Sequence, residues 1–394
     1  MPYDFDTPID RGNTDSIKWA KYAGKKSGRG EAIIPMWVAD MDFAAPPEVI
    51  AALQKRVAHP VFGYGHTTPE FTDTIINAMQ RDYGWAVQAE WIVPLSGLVS
   101  GLNIAARSIG ERGDAIVTAT PVYPALFTAP VHMERECLCV PLDENRNWSW
   151  DMAAVEAAHD SHRTSHNSSH SPSKIKGIFL CHPHNPVGRV WTATELKNIA
   201  DYAEKHDLVV VSDEIHCDLI LEPGLHHQPF AMLSPEIAAR TITVMAPSKT
   251  YNIPGLGAAF AIIPGAKLRG RFQSAMAGIA PHLNIIGMTA TIAAYKHGAP
   301  WRTALLDYLR LNREQVMTLD GMKGLRVIKP EATYLAWIDC RSTDLENPVE
   351  FFEHAGVGLS NGQDFGHEGF LRLNFGCTAA TLQEGLRRMR RALA

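Results

Sequence analysis

The chain has 394 residues, 46% of them hydrophobic and 20% charged, with a formal net charge of −5. That composition belongs to a globular enzyme large enough for a major domain plus a smaller one, and the mild acidity without a basic stripe excludes nucleic acid as a main partner. No apolar run nears the length of about 18 residues that a membrane span needs, and no charged-then-apolar leader opens the chain, so an unexported, cytoplasmic protein is expected. Six scattered cysteines (Cys137, Cys139, Cys181, Cys217, Cys340, Cys377) suit reduced thiols rather than a disulfide framework.

In chain order, Val93-Pro94-Leu95-Ser96-Gly97-Leu98-Val99-Ser100-Gly101 reads as a Gly-containing turn entering a helix over 102–109. The free backbone N–H groups at such a helix start suit an anion. A strand over 115–119 follows, then the turn Thr120-Pro121-Val122-Tyr123-Pro124, which carries one aromatic. A helix is predicted from Pro124, strands over 137–142 and 175–180, and a helix over 192–206. The second of those strands empties into the Pro-rich turn Cys181-His182-Pro183-His184-Asn185-Pro186. Val209-Val210-Val211-Ser212-Asp213 is a β-branched run of the kind buried on both faces, and it ends in an acid. Open α/β sheets bind ligands at the carboxyl ends of their strands, which places Asp213 against a ligand.

The apolar run over 241–246 leads to Ser248-Lys249-Thr250-Tyr251. A lysine at the end of a buried strand is costly unless its amine is neutralised, paired or covalently used, and a Schiff base with an aldehyde is one such use. A strand is predicted over 256–263, and from Pro300 a helical pattern with Leu305, Leu306, Leu309 and Leu311 leads into a strand-rich end. The alternation predicts a three-layer α/β sheet. A phosphate seat, an aromatic plate, an acid and a lysine together are the parts that hold pyridoxal phosphate.

Two stretches carry a metal alternative. His162, His166 and His170 recur every four residues, but serine, asparagine and proline make 159–172 read as a solvated loop. Cys137-x-Cys139 lacks the second half of a zinc pattern and reads as buried strand packing, so no metal is expected. Singly, the other residues also have ordinary readings: Lys249 and Arg372 as surface cations, Asp213 as a helix N-cap, Asn185 as a turn initiator, Tyr123 as turn packing and His216 as a core histidine.

Seven motifs in order carry a resemblance: Pro35-Met36-Trp37-Val38-Ala39-Asp40-Met41-Asp42-Phe43, Phe62-Gly63-Tyr64, Pro121-Val122-Tyr123-Pro124, His182-Pro183-His184-Asn185-Pro186-Val187-Gly188-Arg189, Ser212-Asp213-Glu214-Ile215-His216, Ser248-Lys249-Thr250-Tyr251-Asn252 and Leu371-Arg372-Leu373-Asn374-Phe375-Gly376-Cys377. Across nearly its whole length the chain resembles the fold-type-I, aminotransferase class I/II-like enzymes that use pyridoxal phosphate, and most of all their cystathionine β-lyase or C–S lyase branch. The resemblance implies a large, mostly parallel sheet domain over 46–298, a smaller α+β domain over 299–394, and an N-terminal segment, 1–45, that joins the small domain and covers the site.

It also implies roles. Lys249 would carry the cofactor and, once displaced by substrate, act as the base. Asp213 would pair with the ring nitrogen, Asn185 and His216 would meet the ring 3′-oxygen, and Tyr123 would lie against the ring. Backbone N–H groups of Gly97, Leu98 and Val99, with Ser248, would hold the phosphate, and Tyr64 would reach the phosphate of a partner subunit in a homodimer. Arg372 would bind the α-carboxylate of an amino-acid substrate, beside Trp37, Val38 and Ala39. Many relatives place an arginine eight residues after the lysine and a hydroxyl three before it; here those positions are Gly257 and Ala246. β-Elimination of a cysteine S-conjugate is the expected reaction. Transamination is the alternative, because the same lysine, aspartate and arginine serve both; a regulatory role for a cofactor-binding protein of this fold is a further alternative, against which the intact Lys249 and Arg372 speak.

Overall fold

The computed structural model describes residues 3–165 and 173–394. A two-residue strand, β1 (Ile34–Pro35), precedes the strands of the main sheet: β2 (Ile92–Leu95), β3 (Ala115–Thr120), β4 (Glu136–Asp143), β5 (Ser149–Trp150), β6 (Ile175–Cys181), β7 (Val209–Asp213), β8 (Thr241–Met245) and β9 (Ala259–Ile262). These eight lie in the order β2-β9-β8-β7-β6-β3-β4-β5. The contiguous set β8, β7, β6, β3 and β4 is parallel, whereas β9 runs antiparallel to both β8 and β2.

Alternate residues of the parallel strands feed two separate cores. Ala115, Val117, Ile178, Leu180 and Val210 pack on one face with Leu196 and Ile199 of the helix Ala193–Lys205. Ile116, Phe179, Val211, Ile242 and Val244 pack on the other with Leu102 and Ala105 of the helix Leu98–Ser108. Both faces are covered, the three-layer arrangement expected of continuous apolar strands. From β3 the chain steps outward to β4 and then returns to the opposite flank of β3 as β6. The reversal opens a crevice at the carboxyl ends of β3 and β6, where ligands bind in open α/β sheets.

A second, antiparallel sheet has the order β10-β11-β14-β13, formed by β10 (Arg326–Ile328), β11 (Leu335–Asp339), β13 (Ser360–Asn361) and β14 (Phe370–Asn374). Trp337 of β11 stacks on Phe370 of β14 with ring centroids 5.1 Å apart. The remaining strand, β12 (Val357–Gly358), pairs in parallel with β1, which ties the N-terminal segment to the C-terminal part of the chain. Among the described residues no helix is long and apolar enough to cross a membrane.

Four sequence expectations are corrected. The first helix of the main sheet starts at Leu98 rather than 102, directly from Gly97. The strand expected over 256–263 is confined to β9, because Pro254–Leu256 forms a tight turn and Gly257, at φ 56°, lies against the backbone of Ser96. Of the stretch 159–172 read as a loop, 159–165 continues the helix Met152–Ser165, and 166–172, with His166 and His170, lies outside the described residues. Tertiary contacts outweigh the poor propensity there: His159 Nδ1 lies 2.8 Å from the hydroxyl of Tyr202, and His162 is buried with Nε2 3.0 Å from Ser173 Oγ. Finally, Cys139 is exposed and Cys137 half-buried, their sulfurs 3.9 Å apart. They are not core residues because β5 pairs with β4 only at Leu142 and Asp143, leaving the earlier part of β4 at the sheet rim.

Candidate active site

The loops leaving β3, β6, β7 and β8 converge. Tyr123, Asn185, Asp213, His216, Ser248 and Lys249 line one cavity of about 170 Å³, closed by Leu98 and Val99 on one side and Ala39 on another. The amide N–H of Tyr123 donates to the carbonyl of Asn185 at 2.9 Å, which locks the β3 and β6 loops together across the crevice.

Lys249 is half-buried, and its Nζ donates to the carbonyl of Ala39 at 2.6 Å. Burial, reinforced by the nearby Arg372 charge, lowers its pKa to about 8, so the neutral amine is within easy reach of neutral pH although the ammonium still predominates at pH 7. Asp213 is 2% exposed, and among the described residues its carboxylate accepts one hydrogen bond, from the Ile215 amide at 3.1 Å. Desolvation raises its pKa to about 7. A buried carboxylate so thinly satisfied calls for a cation from the cavity. His216 is held neutral by burial, which lowers its pKa to about 3, and its Nδ1 is buried without a partner among the described residues.

Arg372, 5% exposed, sits on β14 and reaches back to the main sheet. Its Nη1 donates to Asn185 Oδ1 at 3.1 Å and its Nη2 to the carbonyl of Trp37 at 2.8 Å, with the guanidinium 4.5 Å from the Phe365 ring centre. Desolvation lowers its pKa to about 10, leaving it charged at neutral pH. Because arginine only donates, the contact fixes which end of the Asn185 amide is oxygen and leaves Nδ2 for an acceptor in the cavity.

The helix Leu98–Ser108 begins at Gly97 with no side-chain cap, so the amides of its first turn remain available to an anion. Gly257, eight residues after Lys249, brings backbone against this turn: a Cβ there would lie 3.0 Å from the Ser96 carbonyl. A carboxylate wanting a cationic ring, a neutral-prone lysine and an uncapped helix start with Ser248 beside it fit pyridoxal phosphate.

Most residues singled out from sequence are therefore brought together. Trp37 and Val38 lie in the covering segment rather than on the cavity wall, and Val38 lines an adjoining cavity that also reaches Lys249. Tyr64 is fully exposed and does not line the cavity of its own chain. Sequence reasoning missed Tyr334, whose hydroxyl donates to the Ala39 carbonyl at 3.0 Å, and Ser360, whose hydroxyl donates to that of Trp37 at 2.9 Å. Neither lies in a motif. Asn252 and Asn374 lie inside two of the motifs, which give them no role.

Sheet order, crevice and lysine together define an enzyme of the aminotransferase type, and the chain belongs to the family aminotransferase class I and II, which residues 32–389 match. It is 36% identical over 400 residues to the cystathionine β-lyase PatB of Bacillus subtilis (strain 168), covering 99% of this chain and 100% of that one. Among solved structures it is similar to a protein named OvoB (44% identity, TM-score 0.91, 100% and 99% of the two chains). It is also similar to cystalysin from Treponema denticola, whose crystal contains a pyridoxal 5′-phosphate cofactor (33% identity, TM-score 0.91, 100% and 99%).

Proposed function

We propose that the protein is a pyridoxal-phosphate-dependent carbon–sulfur lyase that cleaves L-cystathionine or related cysteine S-conjugates to pyruvate, ammonia and a thiol. The observation that carries this reading is the convergence of Lys249, its pKa lowered by burial, and a buried Asp213 on one cavity, with the buried Arg372 bonded to Asn185 of its wall, in a chain alike end to end to a cystathionine β-lyase.

When bound, pyridoxal phosphate supplies an electron-withdrawing ring in conjugation with the substrate Cα. Asp213 would keep the ring nitrogen protonated, and Asn185 Nδ2 and His216 would hold the oxygen side of the ring. Arg372 takes the substrate α-carboxylate in a planar, charge-assisted contact. Lys249 Nζ removes the Cα proton, the Cβ–S bond breaks with its electron pair leaving on sulfur, and water completes the conversion of the carbon skeleton to pyruvate and ammonium. The segment over 37–43 covers one side of the amine, its Ala39 carbonyl accepting from Lys249 Nζ.

We also infer a homodimer in which Tyr64 serves the neighbouring site. Its complete exposure supports this, as does the exposure of Val57, Val61 and Phe62 beside it. The division into 1–45, 46–298 and 299–394 is our reading of the two sheets and the β1–β12 tie, and a cytoplasmic location is our reading of the scattered free thiols. The deciding experiment incubates holoenzyme with L-cystathionine: pyruvate without added keto acid supports the lyase. Turnover that requires a keto acid and releases no pyruvate would make it an aminotransferase instead.

A further inference from the structure

The covering segment over 37–43 is held by two asparagines that follow the functional cations in sequence. Asn252, three residues after Lys249, engages both backbone groups of Met41: Oδ1 accepts from its N–H at 2.9 Å and Nδ2 donates to its carbonyl at 2.9 Å. The same Nδ2 donates to the Phe43 carbonyl at 2.7 Å. Asn374 follows Arg372 by two on β14, so both side chains leave the strand on one face. Its Nδ2 donates to the carbonyls of Val38 at 2.5 Å and Asp40 at 2.7 Å, while its Oδ1 accepts from the Gly376 amide at 2.7 Å. Asn374 is 1% exposed, and Asn252 holds φ 53°, a backbone conformation that asparagine tolerates better than most residues.

With these contacts every carbonyl from Trp37 to Met41 has a donor. Arg372 takes Trp37, Asn374 takes Val38 and Asp40, Lys249 and Tyr334 share Ala39, and Asn252 takes Met41. Gly376 lies directly beneath the segment, where a Cβ would come within 2.6 Å of Met41 Cγ.

We propose that Asn252 and Asn374 are positioning residues: they latch the segment so that the Ala39 carbonyl receives the Lys249 amine and the Trp37 carbonyl aligns Arg372 for the substrate carboxylate. Each latch shares a short stretch of chain with the cation it serves, so segment and cations move as one body. The proposal rests on the assignment of Lys249 and Arg372 to the reaction, but its physical content, the latch itself, stands apart from what is cleaved.

The test uses Asn252→Gly, which removes the side chain without straining a positive φ, and Asn374→Asp, which replaces its donor by a charge facing two carbonyls. Hydrogen exchange in the apoprotein reads the latch directly: the Met41 amide should exchange at least about tenfold faster in Asn252→Gly, with the strands of the main sheet unchanged. In holoenzyme, KM for the amino-acid substrate should rise about tenfold in each variant while kcat stays within about threefold. Unchanged Met41 exchange together with unchanged KM would overturn the proposal. So would a parallel fall of kcat and cofactor content without a KM effect, which marks a merely structural role. If a variant does not fold, the other decides, since each breaks a separate pair of carbonyl contacts. If no pyruvate is released by the wild type yet Met41 exchange accelerates in Asn252→Gly, the latch stands and the lyase reading falls.

Discussion

Arg372 Nη1 donates to Asn185 Oδ1 at 3.1 Å, a contact that spans 187 residues of sequence and joins the antiparallel sheet to the crevice of the main one. It couples the site proposed for the substrate carboxylate to the group proposed for the ring oxygen. Arg372→Lys should therefore do more than weaken substrate. A lysine keeps the charge but loses the planar fork, so KM should rise about 100-fold, and the cofactor absorbance should change as the Asn185 amide loses its anchor. Steady-state kinetics with an absorbance spectrum of the same preparation checks both; an unchanged KM removes Arg372 from the site.

Lys249 provides the pH dependence. Its pKa is lowered to about 8, chiefly by burial, and only the neutral amine accepts a proton. The rate constant kcat should thus rise with pH and level off above an apparent pKa near 8. Lys249→Ala should abolish turnover and the covalent retention of cofactor after borohydride treatment. Retained turnover would defeat the assignment.

Asp213 makes a prediction with opposite signs in the two forms of the protein. Its folded pKa, about 7, lies above the ordinary carboxylate range. The folded apoprotein therefore holds this proton more tightly than the unfolded chain, and the group costs stability as pH rises from about 4 toward 7. An amide in place of the carboxylate removes that cost. Apo Asp213→Asn should melt above apo wild type at pH 8 and level with it near pH 4. Added cofactor should stabilise the wild type more, reversing the order at pH 8.

Lys18 anchors the foot of the covering segment. It is 1% exposed, with Nζ 2.7 Å from Asp42 Oδ2 and 3.6 Å from Asp40 Oδ1, and Arg11 pairs with the same two aspartates. Breaking a buried pair leaves an uncompensated charge, so Lys18→Met should lower stability by about 3 kcal/mol. Urea unfolding of wild type and variant reads this. A difference within error would mean that Arg11 alone balances both carboxylates.

Much of the site was legible because its parts sit at strand ends, where a β-branched run stops and a polar residue begins. Asp213 ends Val209–Asp213, and Asn185 and Lys249 each follow an apolar strand by four residues. Tyr334 and Ser360 were not legible, since each acts by donating to a backbone carbonyl of the covering segment, and a carbonyl acceptor has no residue signature. The helix over 159–165 was hidden for a related reason: its serines and histidines argue for a loop until Tyr202 and Ser173 supply partners. Cys139 erred the other way, an apolar run in sequence that emerges at a sheet rim.

The sequence by itself determined the three-layer α/β class and singled out the lysine, aspartate and asparagine as candidates, because hydrophobic periodicity and strand-end chemistry are local properties; Arg372, mid-strand in β14, was a candidate only through the motif around it. Only the tertiary structure decided what those groups see. The Lys249 pKa depends on burial and on the charges of Arg372 and Asp40, 123 and 209 residues away along the chain. Desolvation and hydrogen-bond direction belong to three-dimensional neighbours, and no spacing along a chain encodes them.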